Sequence, residues 1–204
     1  MSAPPAWMER VIATIDRYGT TTAATVSGIV DRESLDISIG DKPMETLATL
    51  SLGRVYKYNP EEDSEVSFDL YVKDMSTGSG AIDLFFMGWT TAVTSGRVVA
   101  NNVQNREMFR LTLLFTNDPT PSTATTTVGT TSASYAARRY IFADGFITSY
   151  KPSFTDGILK VKCTMKIPPY DGTAVANIGY QSLDGTASST LTALSTYTGT
   201  VKGW

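Results

Sequence analysis

Gly157-Ile158-Leu159-Lys160-Val161-Lys162-Cys163-Thr164-Met165-Lys166-Ile167 alternates apolar and polar side chains without a break. Side chains on a strand point to opposite faces with a period of two, so this stretch predicts a half-buried strand. Arg138-Arg139-Tyr140-Ile141-Phe142-Ala143-Asp144-Gly145-Phe146-Ile147-Thr148-Ser149-Tyr150 precedes it as a second β-rich run. Lys151-Pro152-Ser153-Phe154-Thr155-Asp156 ties the two together. Asp144-Gly145 reads either as a two-residue hairpin turn or as a bulge in one long strand. Arg138 and Arg139 point to opposite faces, so at least one must find a carboxylate, solvent or a partner. The most ordered part of the chain is therefore a strand pair with no chemistry in it, which points to a scaffold.

Working outward, residues 65–73 and 107–116 alternate in the same way, with Val66, Phe68, Leu70 and Val72 on one face of the first. Leu114 on the nominally wet face of the second predicts that this side is partly covered. Residues 34–39 predict a short strand ended by Gly40, and residues 24–30 an edge strand. Pro4-Pro5 followed by Trp7, Val11 and Ile15 at four-residue spacing predicts a helix over 5–17. Residues 80–87, too unbroken for an exposed strand, are expected to form a short helix or turn plugging the core. The Thr-, Ser- and Pro-rich stretch 117–134 reads as a mobile excursion between strands. After Gly172 a Ser/Thr-rich tail retains enough apolar anchors for one or two weak strands or a docked arm.

Between Gly40 and Asp63 lies a long connection containing Leu47, Leu50, Leu52, Val55 and Tyr58. Connections beyond about 12–15 residues without regular structure are uncommon and usually functional. This one is too apolar for a free loop, and a neighbouring subunit is the candidate cover.

Composition narrows the chemistry. The 204 residues contain no histidine and one cysteine, with a net charge of −3 and only 18% charged residues. Without histidine there is no Ser-His-Asp or Cys-His nucleophile system and no imidazole metal site. Cys163 falls on the apolar face of its strand and reads as a small hydrophobe. A chain with no basic stripe argues against tight nucleic-acid binding. A hydroxylated, weakly charged surface suits packing against copies of itself, or equally a weakly charged secreted β-protein. Residues 61–65, Glu-Glu-Asp-Ser-Glu, lack the spacing and central glycine of a calcium loop and read as a solvated turn or a charged subunit contact. Gly78-Ser79-Gly80 lacks the following Lys-Ser/Thr of a phosphate loop. No basic n-region followed by an apolar run opens the chain, and no stretch approaches the ~20 apolar residues that span a bilayer. Synthesis and assembly in the cytosol, with no membrane partner and no cofactor, are the expectations.

The run Tyr140-Ile141-Phe142-Ala143-Asp144-Gly145-Phe146-Ile147-Thr148-Ser149-Tyr150-Lys151-Pro152-Ser153-Phe154-Thr155-Asp156-Gly157, followed by the strand to Ile167, resembles the C-terminal half of tail tube proteins of tailed viruses. Asp36-Ile37-Ser38-Ile39-Gly40-Asp41-Lys42, then Gly53-Arg54-Val55-Tyr56-Lys57-Tyr58-Asn59-Pro60-Glu61, resembles the family's strand, long loop, strand passage. The resemblance covers about two-thirds of the chain in pattern and order. It implies a mainly β fold: one domain over 1–204, with two packed antiparallel sheets, a β-sandwich forming part of a multi-chain β-barrel, and a short helix. The predicted helical arm, 1–19, and the tail, 172–204, depart from the family pattern.

The resemblance also implies a virion structural protein that self-assembles into hexameric rings. Stacked into a tail tube with other tail proteins in the host cytoplasm, they form the conduit for genome ejection. Viral DNA would pass through the lumen without specific binding. Asp41, Lys42, Glu45, Leu47, Leu50, Arg54, Glu61, Glu62 and Asp63 would then lie at subunit contacts, and Glu65 and Asp69 are candidates to face the lumen. Two alternatives remain at this point: a tube subunit of a contractile injection or secretion system, and a β-sandwich carbohydrate-binding module. An enzyme is the weakest reading.

Overall fold

The computed structural model describes residues 10–17, 24–49, 53–58, 61–71, 108–129, 135–169, 177–185 and 190–197. Within them the regular structure is mainly β: β1 Arg10–Arg17, β2 Ala24–Ile29, β3 Asp36–Ser38, β4 Met44–Thr49, β5 Gly53–Tyr58, β6 Ser64–Tyr71, β7 Phe109–Thr116, β8 Ala136–Thr155, β9 Ile158–Ile167 and β10 Ile178–Asp184. A single 3-10 turn, Arg32–Ser34, interrupts the pattern.

Eight strands form one antiparallel sheet in the order β2-β1-β7-β8-β9-β6-β3, with β10 added alongside β8. The sheet curls until its ends meet: Val30, just past β2, bridges Leu70 of β6, and its N–H donates to Val11 O. A further tie spans the closure, where Lys160 Nζ donates to Asp31 Oδ2 at 2.7 Å. That bond holds the Asp31 carboxyl below its usual value and raises the Lys160 ammonium. Inside the curl, Val11, Ala13 and Ile15 of β1 meet Leu111, Leu113 and Phe115 of β7, Phe142 of β8, Val66, Phe68 and Leu70 of β6, and Val161, Cys163, Met165 and Ile167 of β9. The alternation of β6 and β9 is thus spent on a half-barrel wall, dry within and wet without.

β8 builds the corner. Its first half pairs with β7 and β10, its second half with β9 alone. Between them the register slips, with Asp144 at φ 53. Of the two readings of Asp144-Gly145, the bulge is the one observed. An extra residue bends a strand and strengthens its twist, which lets one strand serve both halves of a sandwich. The β8–β9 turn is Asp156-Gly157, both with positive φ (53° and 76°). Such backbone angles match the twist of a two-residue hairpin.

Two expectations fail here. Residues 10–17 of the predicted helix form β1, and the rest of 5–17 lies outside the described residues. β1 is buried on both faces from Val11 to Asp16, so its inward and outward positions are both apolar or paired and the period of two is lost. Nor is 117–129 a mobile excursion. Asp118, Ala124 and Val128 are buried, and the segment lies over the outer face of β1, β7 and β8. The expected plug at 80–87 lies outside the described residues.

Expected strands at 24–30, 34–39, 65–73 and 107–116 are present as β2, β3, β6 and β7, with somewhat different bounds. Leu114 is fully buried, as a covered second face requires. The tail supplies both things foreseen for it: β10, and a docked segment at 190–197 in which Leu191 bridges Val128.

Cys163 has no exposed surface, and burial pushes its thiol up to about 12. Native protein at pH 8 is therefore expected to be inert to a thiol reagent and to react stoichiometrically once unfolded in guanidinium. Rapid labelling of the folded chain would place this strand face in solvent.

Candidate assembly surface

The outward face of β3, β6, β9 and the second half of β8 forms a continuous wall. Register places its side chains in rows: Tyr71, Lys160 and Ser153; Asp69, Lys162 and Lys151; Asp36, Ser67, Thr164 and Ser149; Ser38, Glu65, Lys166 and Phe146. Glu65 and Asp69 are thus on the wet face foreseen for them, each with a lysine directly across, so the wall is of mixed sign. Opposite charges across strands are favourable by a few tenths of a kcal/mol to about 1 kcal/mol.

Among the described residues the two sides of the wall are open. Among the described residues no strand pairs with the outer side of β3 or with the outer side of β8 beyond Phe146. Lys151, Pro152, Ser153 and Phe154 are all exposed, Phe154 at 73%. Pro152 has no N–H to offer a ladder, which suits a strand at an edge. Among the described residues β10 pairs only with β8, and on it Tyr180 is exposed and stacks under the Arg138 guanidinium.

Within the long connection 40–63, residues 44–49 and 53–58 form strands. β4 and β5 pair from Met44↔Tyr58 to Thr49↔Gly53, and this ribbon extends the β3–β6 ladder. The junction is tight: Gly40 N donates to Ser64 Oγ at 2.8 Å, and Glu62 N to Asp41 O at 2.9 Å. A Cβ on Gly40 would sit 2.0 Å from Glu62 O, so only glycine fits there.

Beyond the junction the ribbon is exposed on both faces, with Met44 at 52%, Leu47 at 48% and Tyr56 at 56%. Two-stranded ribbons are marginal alone in water. The candidate contact residues fall along it: Asp41, Lys42, Glu62 and Asp63 exposed at its base with Glu61 half-buried beside them, and Glu45 and Leu47 exposed on β4. Glu45 meets Lys57 across the ribbon at 4.0 Å. Arg54 stands opposite Ala48, and Leu50 lies outside the described residues.

Sequence reasoning missed the opposite face, where arginines hold the cover. Arg110 reaches Asp16 Oδ2 from Nε (2.9 Å) and Nη2 (2.6 Å), and Ser195 O from Nη1. Thr25 donates to the other Asp16 oxygen. Arg10 donates to Pro119 O and Pro121 O. Arg139, with no exposed surface, finds Gln181 Oε1, Thr192 O and Thr126 O rather than a carboxylate. Burial, with Arg110 nearby, lowers its pKa. Tyr197 donates to Asp144, and burial drives its phenol upward. A cavity of about 190 Å³ lies beside the pair, lined by Asp16, Arg110 and hydroxyls of Thr25, Thr125, Ser195 and Thr196. Every functional group of Arg110 there is already engaged with the chain. No group of three or more His, Cys, Asp or Glu suited to a metal occurs among the described residues.

No protein-family model matches the sequence, and no curated protein matches it. Solved structures do. A chain in the cryo-EM structure of the sheath/tube terminator of PVC, an extracellular contractile injection system in its extended state, superposes with a TM-score of 0.48 at 12% identity, covering 89% of this chain and 99% of that one. A chain of the anti-feeding prophage baseplate gives 0.48 at 8% identity, with 89% and 97% covered. The crystal structure of Hcp protein gives 0.33 at 12% identity, with 83% and 98% covered. At these identities no functional residue is carried across.

Proposed function

We propose that the chain is a tube subunit, acting by self-assembly into stacked rings that enclose a conduit. The observation that carries this is the wall with its two open sides. Its strands run alternately up and down in the order β3, β6, β9, β8. In a ring about an axis along the strands, the open side of β8 meets the open side of the next subunit's β3 running the opposite way. The joint would continue an antiparallel ladder, and closing a barrel from several chains removes the edges that would otherwise aggregate. Exposed apolar ribbons at Met44, Leu47 and Tyr56 then supply contacts between rings, and the other ribbon positions named above are proposed as contacts with them. Glu65 and Asp69 would face the lumen on a surface of mixed sign, suited to letting a polyanion pass without gripping it.

The setting is either a virion tail or a contractile injection system, the latter being the assembly from which several of the similar folds come. DNA within particles isolated from the source would mark the first, a protein cargo the second.

Negative-stain microscopy of the purified protein tests the reading. Rings or tubes with an open channel are expected at high concentration. A monomer at every salt concentration overturns it, and a monomer that binds glycans favours the carbohydrate-binding module. Leu47→Asp with Tyr56→Asp is expected to abolish stacking while leaving the melting temperature within about 2 °C, since neither side chain packs on the barrel.

A further inference from the structure

The wall is electrically sided. Its acids, Asp36, Glu65 and Asp69, stand on β3 and β6, and its lysines, Lys151, Lys160, Lys162 and Lys166, on β9 and β8. Lys162 and Lys166 face Asp69 and Glu65, and Lys160 is bonded to Asp31. Among the described residues two charges are left over, one at each side of the wall that no strand pairs with. Asp36 is exposed on β3, and no ion-pair partner for it occurs among the described residues. Lys151 is exposed on β8 directly opposite Lys162, a like-charged cross-strand pair. Like charges so placed are destabilising, and here the arrangement sits at an edge where a further strand can answer it.

We infer that Asp36 of one subunit pairs with Lys151 of the next, and that this pair gives the lateral joint its direction. The inference rests on the tube reading and adds to it the residues that orient the ring. Without axial stagger, Asp36 comes opposite the neighbour's Ser149, because the row of Asp36 is the row of Ser149. Lys151 is two residues further along on the same face. Diagonal neighbours on adjacent strands lie roughly 7–8 Å apart, within reach of a long side chain. The incoming acid relieves the Lys151–Lys162 repulsion, and the reverse docking, lysine side to lysine side, is disfavoured. Acid meets base only head to tail, the arrangement that closes rings.

Charge reversal tests this. Asp36→Lys and Lys151→Glu, made singly, put like charges at the joint and are expected to raise the protein concentration needed for rings by about tenfold or more at low salt. The double reversal restores the opposite pair and is expected to return assembly to near the wild-type concentration. Added salt should shrink the difference, because the pair is exposed. Melting curves of the monomers control for folding. If a reversal unfolds the chain, Asp36→Asn and Lys151→Gln replace it, each expected to raise the ring concentration severalfold.

Rings from both single reversals at the wild-type concentration overturn the inference and leave the tube reading standing. Failure of the double reversal to recover, with a folded monomer, overturns the pairing as well. Absence of rings from the wild type overturns the tube reading and this inference with it.

Discussion

Valine in place of Gly40 is expected to detach the β4–β5 ribbon from the wall while the barrel stays folded. The new Cβ would stand 2.0 Å from the Glu62 carbonyl oxygen and 2.7 Å from its carbon. Both are main-chain atoms, so no rotamer change relieves the clash, and the strands must part. The bonds lost are those that continue the ladder past Ser64, Gly40 N to Ser64 Oγ and Glu62 N to Asp41 O. Overpacking of this kind costs about 1–3 kcal/mol. None of it falls on the barrel interior, where Val66, Phe68 and Leu70 lie deeper along β6. Hydrogen exchange should therefore accelerate across 44–58 and stay slow across 161–167, and stacking should fail. Slow exchange throughout, with tubes intact, would mean that the ribbon tolerates the shift and that its aim is unimportant.

Alanine at Asp16 is expected to have the largest effect on stability. Asp16 is 6% exposed and Arg110 9%, and one Asp16 oxygen receives two bonds from that guanidinium. Removing the acid leaves a buried cation whose remaining partners among the described residues are the Ser195 carbonyl and the Tyr197 ring. Breaking a buried pair from one side costs about 3–5 kcal/mol. For a domain of this size that is roughly 10 °C or more in melting temperature. Adding Arg110→Met should recover much of the loss, since the stranded charge goes with it. A double variant as unstable as Asp16→Ala alone would show that the damage comes from Thr25 and the cover rather than from the cation.

What the sequence revealed depended on how many faces of a strand are covered. β6 and β9 have one dry and one wet face, and their alternation placed Val66, Phe68, Cys163 and Met165 in the core correctly. β1 has two dry faces. Ile12 packs outward with Leu114, Val128 and Leu191 while Val11 and Ile15 pack inward, so its apolar residues crowd together and mimic a helical stripe. The cover failed for another reason. Residues 117–129 and 190–197 are held by main-chain carbonyls that accept from Arg10, Arg110 and Arg139, and a carbonyl has no signature in the sequence. Of the candidate assembly residues, Leu47 stands out in the sequence because an apolar side chain in a long connection needs covering, and the structure leaves it exposed on the ribbon. The edge charges do not, because Asp36 and Lys151 become notable only once register puts each at an open side.

The unbroken course of β8 has a mechanical consequence. Its first half is held between β7 and β10 and its second half lies in the wall, so one covalent backbone joins the covered side of the chain to the edge proposed to meet a neighbour. Hydrogen bonds between antiparallel strands lie across the strand axis. A pull along β8 therefore loads the bonds to β7, β9 and β10 together, in shear, and they cannot be opened one at a time. Tension on the wall would reach the arginine-held half before the sheet could unzip.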